Sequence, residues 1–312
     1  MQSKDQHNDS STGDGAKVLI PVDFSPKGDL AVNVGFELAR RLDKTVELIH
    51  ASTIPDPGVI PQFPDDFNGM DNENAEIEEM EMSMEVHSID VNSMRTLKKR
   101  IRDLQDSGSL PKLSFKSVIA PGMPEEVIAE YCAVTPPAVI VMATRGCEKR
   151  KEELIGSVTA EVIDQSIAPV FTVPEDYTFI GFKEIVRICA FCYFDEGDHK
   201  AIEKLMTMFG RPDVKIYLFP ASDKIKGEKA ETALQALKER LSSEYPNSEF
   251  SFYKNRPDLK PRDQAECLFV DEKIQMILAP NRKRNAISRF FHPGLAHRIL
   301  YEIDFPMLAI PV

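Results

Sequence analysis

Residues 139–162, VIVMATRGCEKRKEELIGSVTAEV, decide how this chain is read. Val139 to Met142 is a β-branched apolar run of the length of a buried strand. A basic loop follows, and Gly156-Ser157 then opens a segment with apolar residues at helical spacing. Strand, loop with spaced small residues and helix start together place backbone N–H groups around an anion, and phosphate suits that arrangement.

The flanking sequence alternates in the same manner. Lys17–Val22 is an apolar strand ending at Asp23-Phe24-Ser25, Gly28–Leu42 has an apolar helical face, and Thr45–Ala51 is a second strand. A β-α-β start with a crossover helix implies a parallel sheet covered on both sides. Ser52–Asn74 reads as an irregular loop, and Ala75–Leu104 as one long helix. Its start is acidic (Glu76, Glu78, Glu79, Glu81, Glu85) and its end basic (Lys98, Lys99, Arg100, Arg102), a polarity that complements the helix dipole. Strands are predicted at Leu113–Ile119, Ala138–Met142 and Pro169–Val173, and helices at Glu125–Cys132 and Val158–Ser166. Beyond a linker at 175–183 the alternation recurs, with strands at Ile185–Tyr193, Val214–Ala221, Phe250–Lys254, Ile274–Ala279 and Pro306–Ile310. The intervening helices are Asp198–Phe209, Ala230–Ser242, Arg262–Phe269 and Pro293–Glu302.

Two constant offsets mark an internal repeat. A shift of 170 residues carries Asp23 to Tyr193, Ala31 to Ala201 and Leu48 to Leu218; a shift of 137 carries Arg145 to Arg282, Pro169 to Pro306 and Pro174 to Pro311. The 33-residue difference is extra length in the first copy, placed after Ser52 within an insertion at 53–112. The predicted organisation is therefore a disordered tail at 1–15, one α/β domain at 16–174, and a second at 184–312.

Composition narrows the function. With 42% hydrophobic and 28% charged residues, the chain is globular. A net charge of -12 supplies no cation excess for nucleic acid, so none is expected as a main partner. No run approaches the ~20 apolar residues of a membrane span. The N-terminal residues lack a signal-peptide core, and the five cysteines are scattered, so a reducing cytoplasm is the expected location.

Candidate chemistry gathers at strand ends. Asp23 closes the first strand, where open α/β sheets bind ligands. It can accept a hydrogen bond from an adenine amino or ribose hydroxyl, or cap the following helix, and position alone leaves both open. Gly146 and Gly156-Ser157 bracket nine residues, so backbone can approach a phosphate unhindered by Cβ atoms. Arg282-Lys283-Arg284, with Arg289, reads as a solvated basic loop or an anion site. Cys189-x-x-Cys192 has a redox spacing but lies in a strand, which favours two core cysteines. The histidines show no metal-ligand spacing, and His50 reads as a packed strand residue. No nucleophile has an identifiable base.

On Pro21-Val22-Asp23-Phe24-Ser25, Leu48-Ile49-His50-Ala51, Gly122 before Pro124-Glu125-Glu126, and the loop after Val139, the first domain resembles a universal stress protein. The whole chain is similar to the tandem two-domain type. The family's ATP loop runs Gly, two residues, Gly, nine residues, Gly, then Ser or Thr; here Ala143 stands in the first glycine's place. The resemblance implies two domains, each a mostly parallel five-stranded sheet flanked by helices, paired through their last strands. It implies a nucleotide site drawn from Pro21, Asp23, Ala51, Met142, Ala143, Gly146, Gly156, Ser157 and Val158. Asp23 and the Ala51 backbone would meet adenine, Met142 and Ala143 the ribose, and Gly146, Gly156, Ser157 and Val158 the phosphates. Arg145 adds charge by its place in the loop.

The second copy has Tyr193 for Asp23, Pro280 for Ala143, Lys283 for Gly146, Pro293 for Gly156 and Gly294 for Ser157. A proline at the helix start has no N–H for a phosphate, so no ATP is expected there. The expected function is a stress-response protein holding ATP, with or without Mg2+, as a regulatory ligand read by a protein partner. An internal domain pair, with room for a homodimer, is the expected assembly. The alternatives are a nucleotide-free tandem scaffold and a slow ATPase or autophosphorylating protein.

Overall fold

The computed structural model describes residues 17–26, 28–52, 73–144, 157–175, 177–179, 181–210, 213–221, 228–252, 259, 261–282 and 305–312. In the helices beginning at 73, 228 and 261, side chains are described from residues 86, 231 and 263. The first half runs β1 (Lys17–Pro21), α1 (Gly28–Leu42), β2 (Thr45–Ser52), α2 (Glu73–Asp106), β3 (Phe115–Pro121), α3 (Pro124–Val134), β4 (Val139–Ala143), α4 (Ser157–Gln165) and β5 (Val170–Val173). The second runs β6 (Arg187–Cys192), α5 (Glu196–Phe209), β7 (Lys215–Pro220), α6 (Glu228–Glu244), β8 (Glu249–Phe252), α7 (Pro261–Asp271), β9 (Met276–Asn281) and β10 (Met307–Pro311).

The described strands form one ten-stranded sheet in the order β3-β2-β1-β4-β5-β10-β9-β6-β7-β8. Every pairing is parallel except β5 with β10, which run antiparallel with Met307 opposite Thr172 and Ala309 opposite Val170. Each half is thus a five-stranded parallel sheet, and the two join edge to edge through their last strands. The registers repeat with the sequence offsets. Lys17 pairs with Thr45 and Arg187 with Lys215, a shift of 170 on both strands. Val18 opposite Val139 becomes Ile188 opposite Met276, and Ile140 opposite Val170 becomes Ile277 opposite Met307.

The apolar runs form strands because both faces are covered. Val18 and Ile20 pack into one layer with α1, α2 and α5, while Leu19 enters the other with α3 and α4. In β6 the same alternation sends Cys192 to the first layer and Cys189 to the second. The two thiols therefore lie on opposite sides of the sheet and cannot pair; burial pushes both well above the ordinary thiol range. Gly35 lets α1 press onto β1, since a Cβ there would lie 2.4 Å from Cδ1 of Ile20.

Two segments differ from the sequence reading. The helix expected to end at Leu104 continues to Asp106 and has no basic residue in its last turn. The basic residues at 98–102 are therefore too far from the C-terminus to complement its dipole, which acts within the last turn. One of them instead reaches sideways, the Arg100 guanidinium donating to Asp29 Oδ2 at 2.6 Å on α1. The linker also does more than connect. Phe182 is buried against Phe171 of β5 and Phe209 of α5, with ring centroids 5.7 and 5.5 Å away. Asn281 adds a buried tie between the halves, donating to the Ile163 carbonyl at 2.5 Å.

The expected tail at 1–15, the loop at 53–72, the residues Arg145, Gly146 and Gly156, and the helix Pro293–Glu302 lie outside the described residues.

Candidate functional site

In the first half, strand order reverses between β1 and β4, and their carboxyl ends border the crevice where open α/β sheets take ligands. The sequence candidates arrive there from separate elements. Asp23 follows β1 and is exposed. Pro21 sits opposite Ile49 in the β1–β2 register, so Ala51 flanks the chain as it leaves β1. Met142 is buried and Ala143 half-buried at the end of β4, while Ser157 is exposed at the head of α4 with Val158 half-buried behind it. The Thr159 hydroxyl donates to the Ala143 carbonyl at 3.1 Å, which fixes the first turn of α4 against the tip of β4.

The turn after β1 shows which side chain caps α1. Its Oδ1 accepts from the Ser25 N–H at 3.0 Å and from the Ser25 hydroxyl at 2.6 Å. Ser25 Oγ in turn accepts from the Gly28 N–H at 3.2 Å, at the start of α1. Ser25 is thus the capping side chain, and Asp23 orients it. Gly28 leaves the room: a Cβ there would come within 3.3 Å of Asp23 Oδ1. The same turn forms one wall of a cavity of ≈ 410 Å³ that α2 closes with Asn92, Ser93 and Thr96.

Sequence reasoning missed a polar network behind this turn. His50 Nδ1 lies 2.7 Å from the Val22 carbonyl, and its Nε2 lies 3.3 Å from Asp90 Oδ1 on α2. Asp90 Oδ2 accepts from the Ser52 hydroxyl at 2.7 Å, and the Phe24 ring sits 4.3 Å from the imidazole, centroid to centroid. His50 is packed, as its strand position suggested, yet it also ties the carbonyl before Asp23 to the inserted helix. Only the apolar spacing of α2 was legible; nothing local in the sequence singles out Asp90.

The second half preserves the backbone of the turn and changes its chemistry. Phe24 has φ 57° and Phe194, 170 residues on, has φ 64°. At the position of Gly28 stands Asp198, which is fully buried. Its Oδ2 accepts from the N–H groups of Tyr193 at 2.9 Å, Phe194 at 2.5 Å and Asp195 at 3.3 Å. Arg282, from the end of β9, reaches Asp198 Oδ1 at 3.1 Å and Asp195 at 2.5 Å, and its guanidinium lies 4.0 Å from the Tyr193 ring centre. Burial pushes the Asp198 carboxyl above its usual range, against the pull of those N–H groups and of Arg282. The crevice between β6 and β9 is therefore bridged by the protein's own ion pairs. Arg282, read from sequence as part of a solvated or anion-binding run, is committed to two carboxylates.

Chemically, the first crevice offers an acidic acceptor, strand-end backbone and a helix N-terminus, which fit a polar ring joined to a phosphate chain. Among the described residues, no group of three or more His, Cys, Asp and Glu is placed to hold a metal, and no helix is long and apolar enough to cross a membrane.

Comparison with known proteins places these features. The sequence model of the universal stress protein family matches residues 16–174. A universal stress protein of Methanocaldococcus jannaschii is 30% identical over 162 residues, covering 50% of this chain and 93% of that protein. Among solved structures, a universal stress protein from Archaeoglobus fulgidus has a TM-score of 0.63 at 14% identity, covering 95% of this chain and 96% of its own. A functionally unknown protein from Pseudomonas aeruginosa PAO1 has a TM-score of 0.55 at 12% identity, covering 95% and 92%. These two likenesses concern the fold.

Proposed function

The chain belongs to the universal stress protein family, and from that premise we propose that its first half binds ATP as a regulatory ligand while its second half binds none. The observation that carries this reading is the contrast between two crevices of one design. In the first, Asp23 and Ser157 are exposed at the ends of β1 and α4. In the second, the corresponding crevice is bridged by Arg282, Asp195 and Asp198.

In this reading Asp23 and the Ala51 backbone take the adenine, Met142 and Ala143 border the ribose, and Gly146, Gly156, Ser157 and Val158 hold the phosphates, with charge from Arg145. ATP supplies ordering of the loop between β4 and α4, and a protein partner reads the resulting surface. Turnover is expected to be slow or absent, because no base is paired with Ser157 among the described residues. Equilibrium titration of the purified chain with ATP tests the assignment. Saturable binding is expected, lost in Gly156→Pro and in Asp23→Ala and retained in Lys283→Ala. Binding indifferent to both first-half substitutions refutes it. A mass spectrum of nucleotide released on denaturation separates this reading from a nucleotide-free scaffold.

A further inference from the structure

The first turn of α3 carries two adjacent carboxylates, Glu125 and Glu126, in different surroundings. Glu126 is exposed. Glu125 is half-buried, and its Oε2 is buried with no hydrogen-bond donor among the described residues. A buried acceptor without a donor is unfavourable, and such atoms are few in folded proteins.

Acids in a first turn suit the helix dipole, but the repeat separates that role from Glu125. The shift of 137 residues carries Pro124 to Pro261, at the start of α7, and Glu126 to Asp263, the acid of its first turn. It carries Glu125 to Arg262. The half whose crevice is bridged by ion pairs thus keeps the proline and the dipole acid, and reverses the charge at the position of Glu125.

Packing places Glu125 at the first crevice. Helices α3 and α4 each follow a strand of the parallel sheet, so both start at its carboxyl edge and descend the same face. Further down they enclose with β4 a cavity of ≈ 110 Å³, lined in part by Ile128 and Ala129 of α3, Val162 of α4 and Ile140 of β4. Glu125 precedes Ile128 and Ala129 by three and four residues, on the same helix stripe and one turn nearer the edge. Val158 stands one turn before Val162, and Met142 lies two residues beyond Ile140 on the same sheet face. A helical turn rises about 5.4 Å and two strand residues about 6.6 Å, so Glu125, Val158 and Met142 reach one level. On the other flank the Gly122 N–H donates to the Ser52 carbonyl at 2.8 Å, which holds the start of α3 beside the end of β2.

We propose that Glu125 is a specificity residue of the first crevice and accepts hydrogen bonds from the ribose hydroxyls of the bound nucleotide. This role rests on ATP binding in the first half, with Met142 bordering the ribose. Hydroxyls are donors that a carboxylate accepts, whereas phosphate oxygens are acceptors that it repels, so the sugar and not the phosphate chain lies against Glu125. A sugar lacking the hydroxyls is rejected, because the acceptor is then left unpaired.

The test is equilibrium titration of the full chain with ATP and with 2′,3′-dideoxy-ATP. The parent is expected to prefer ATP at least about tenfold. Glu125→Ala is expected to lose most of that preference through weaker ATP binding, and Glu125→Gln, which keeps an acceptor, to retain part of it. Glu126→Ala removes the same charge one residue away and is expected to keep the parent's preference. Equal weakening of both nucleotides in Glu125→Ala, the result of a purely structural role, overturns the proposal. So does a preference that survives Glu125→Ala, or one lost equally in Glu126→Ala. Saturable ATP binding by the parent with no preference over the dideoxy form overturns the proposal and leaves the ATP reading intact; no saturable ATP binding overturns both.

Discussion

Arg282→Ala is expected to destabilise the fold by about 3 kcal/mol at neutral pH, because it removes one partner of a buried ion pair. The magnitude follows from three contacts. Asp195 has a side chain 52% exposed, so its pairing contributes at most about 1 kcal/mol. Stacking on Tyr193 at 4.0 Å adds about 0.5–1 kcal/mol. The main loss is at Asp198, whose side chain is 0% exposed. Stranding such a carboxylate costs about 3–5 kcal/mol when the partner is fully buried. Arg282 is 27% exposed, and Asp198 retains three backbone N–H donors, which brings that contribution toward about 1–2 kcal/mol. The pH dependence gives the sharper check. Burial raises the Asp198 pKa above the ordinary 3.8, so the folded protein holds this proton more tightly than the unfolded chain. Its contribution to stability is complete below 3.8 and is lost as pH rises through the folded value. Without Arg282, which draws that value down, the folded pKa rises further and the loss at neutral pH is greater. Urea unfolding at several pH values should therefore show a deficit that is largest near neutrality and shrinks as pH falls toward 3.8. A deficit below about 1 kcal/mol at pH 7, the range of an exposed pair, refutes the reasoning. So does one that stays constant with pH.

Two further substitutions test the first half. Asp90→Ala leaves the buried Ser52 hydroxyl without its acceptor and removes the carboxylate beside His50, so thermal or urea unfolding should show a loss of about 2 kcal/mol. Ser52→Ala added to it should cost little more, and full additivity would show that the two do not interact. Gly35→Ala drives a methyl into Ile20 at 2.4 Å, an overpacking cost of about 1–3 kcal/mol against a helix-propensity gain of about 1 kcal/mol. A net loss is expected, and adding Ile20→Val, which deletes the clashing Cδ1, should recover part of it; a stabilised Gly35→Ala excludes the close approach.

The strands were legible because a parallel sheet covered on both faces needs apolar residues at every position, and such runs stand out against Pro- and Asp-rich loops. The repeat was legible for a stricter reason. Offsets of 170 and 137 in the sequence are also the offsets of strand register, so the arithmetic that matched Asp23 to Tyr193 matched their places in the sheet. The polar contacts were hidden because they join residues far apart in the chain: Arg282 meets Asp198 across 84 positions, and Asp90 meets Ser52 across 38. Asp90 lies in the insertion and has no counterpart in the repeat to mark it. Charge clustering misled at the end of α2, where the basic run resembled a helix terminus. Beyond Arg102 the helix continues about one further turn through Asp103, Leu104, Gln105 and Asp106, and Gln105 anchors it by donating to the Pro111 and Leu113 carbonyls, both at 2.9 Å.

The paired halves also separate what the fold requires from what a ligand would require. Both turns keep a phenylalanine at positive φ, both following helices bury an alanine at the 170-residue offset (Ala31 and Ala201), and both cap the helix through Ser25 or its counterpart Asp195. Those features are shared, so they belong to the fold. What differs is where the carboxylate stands. In the first half it is Asp23, exposed at the strand end with a glycine opposite to make room. In the second it has moved to the glycine's position as Asp198, turned inward onto three N–H groups and neutralised by Arg282. Asp23 orients the capping Ser25 and its side chain is nonetheless exposed at the strand end, and the ATP reading rests on that exposure.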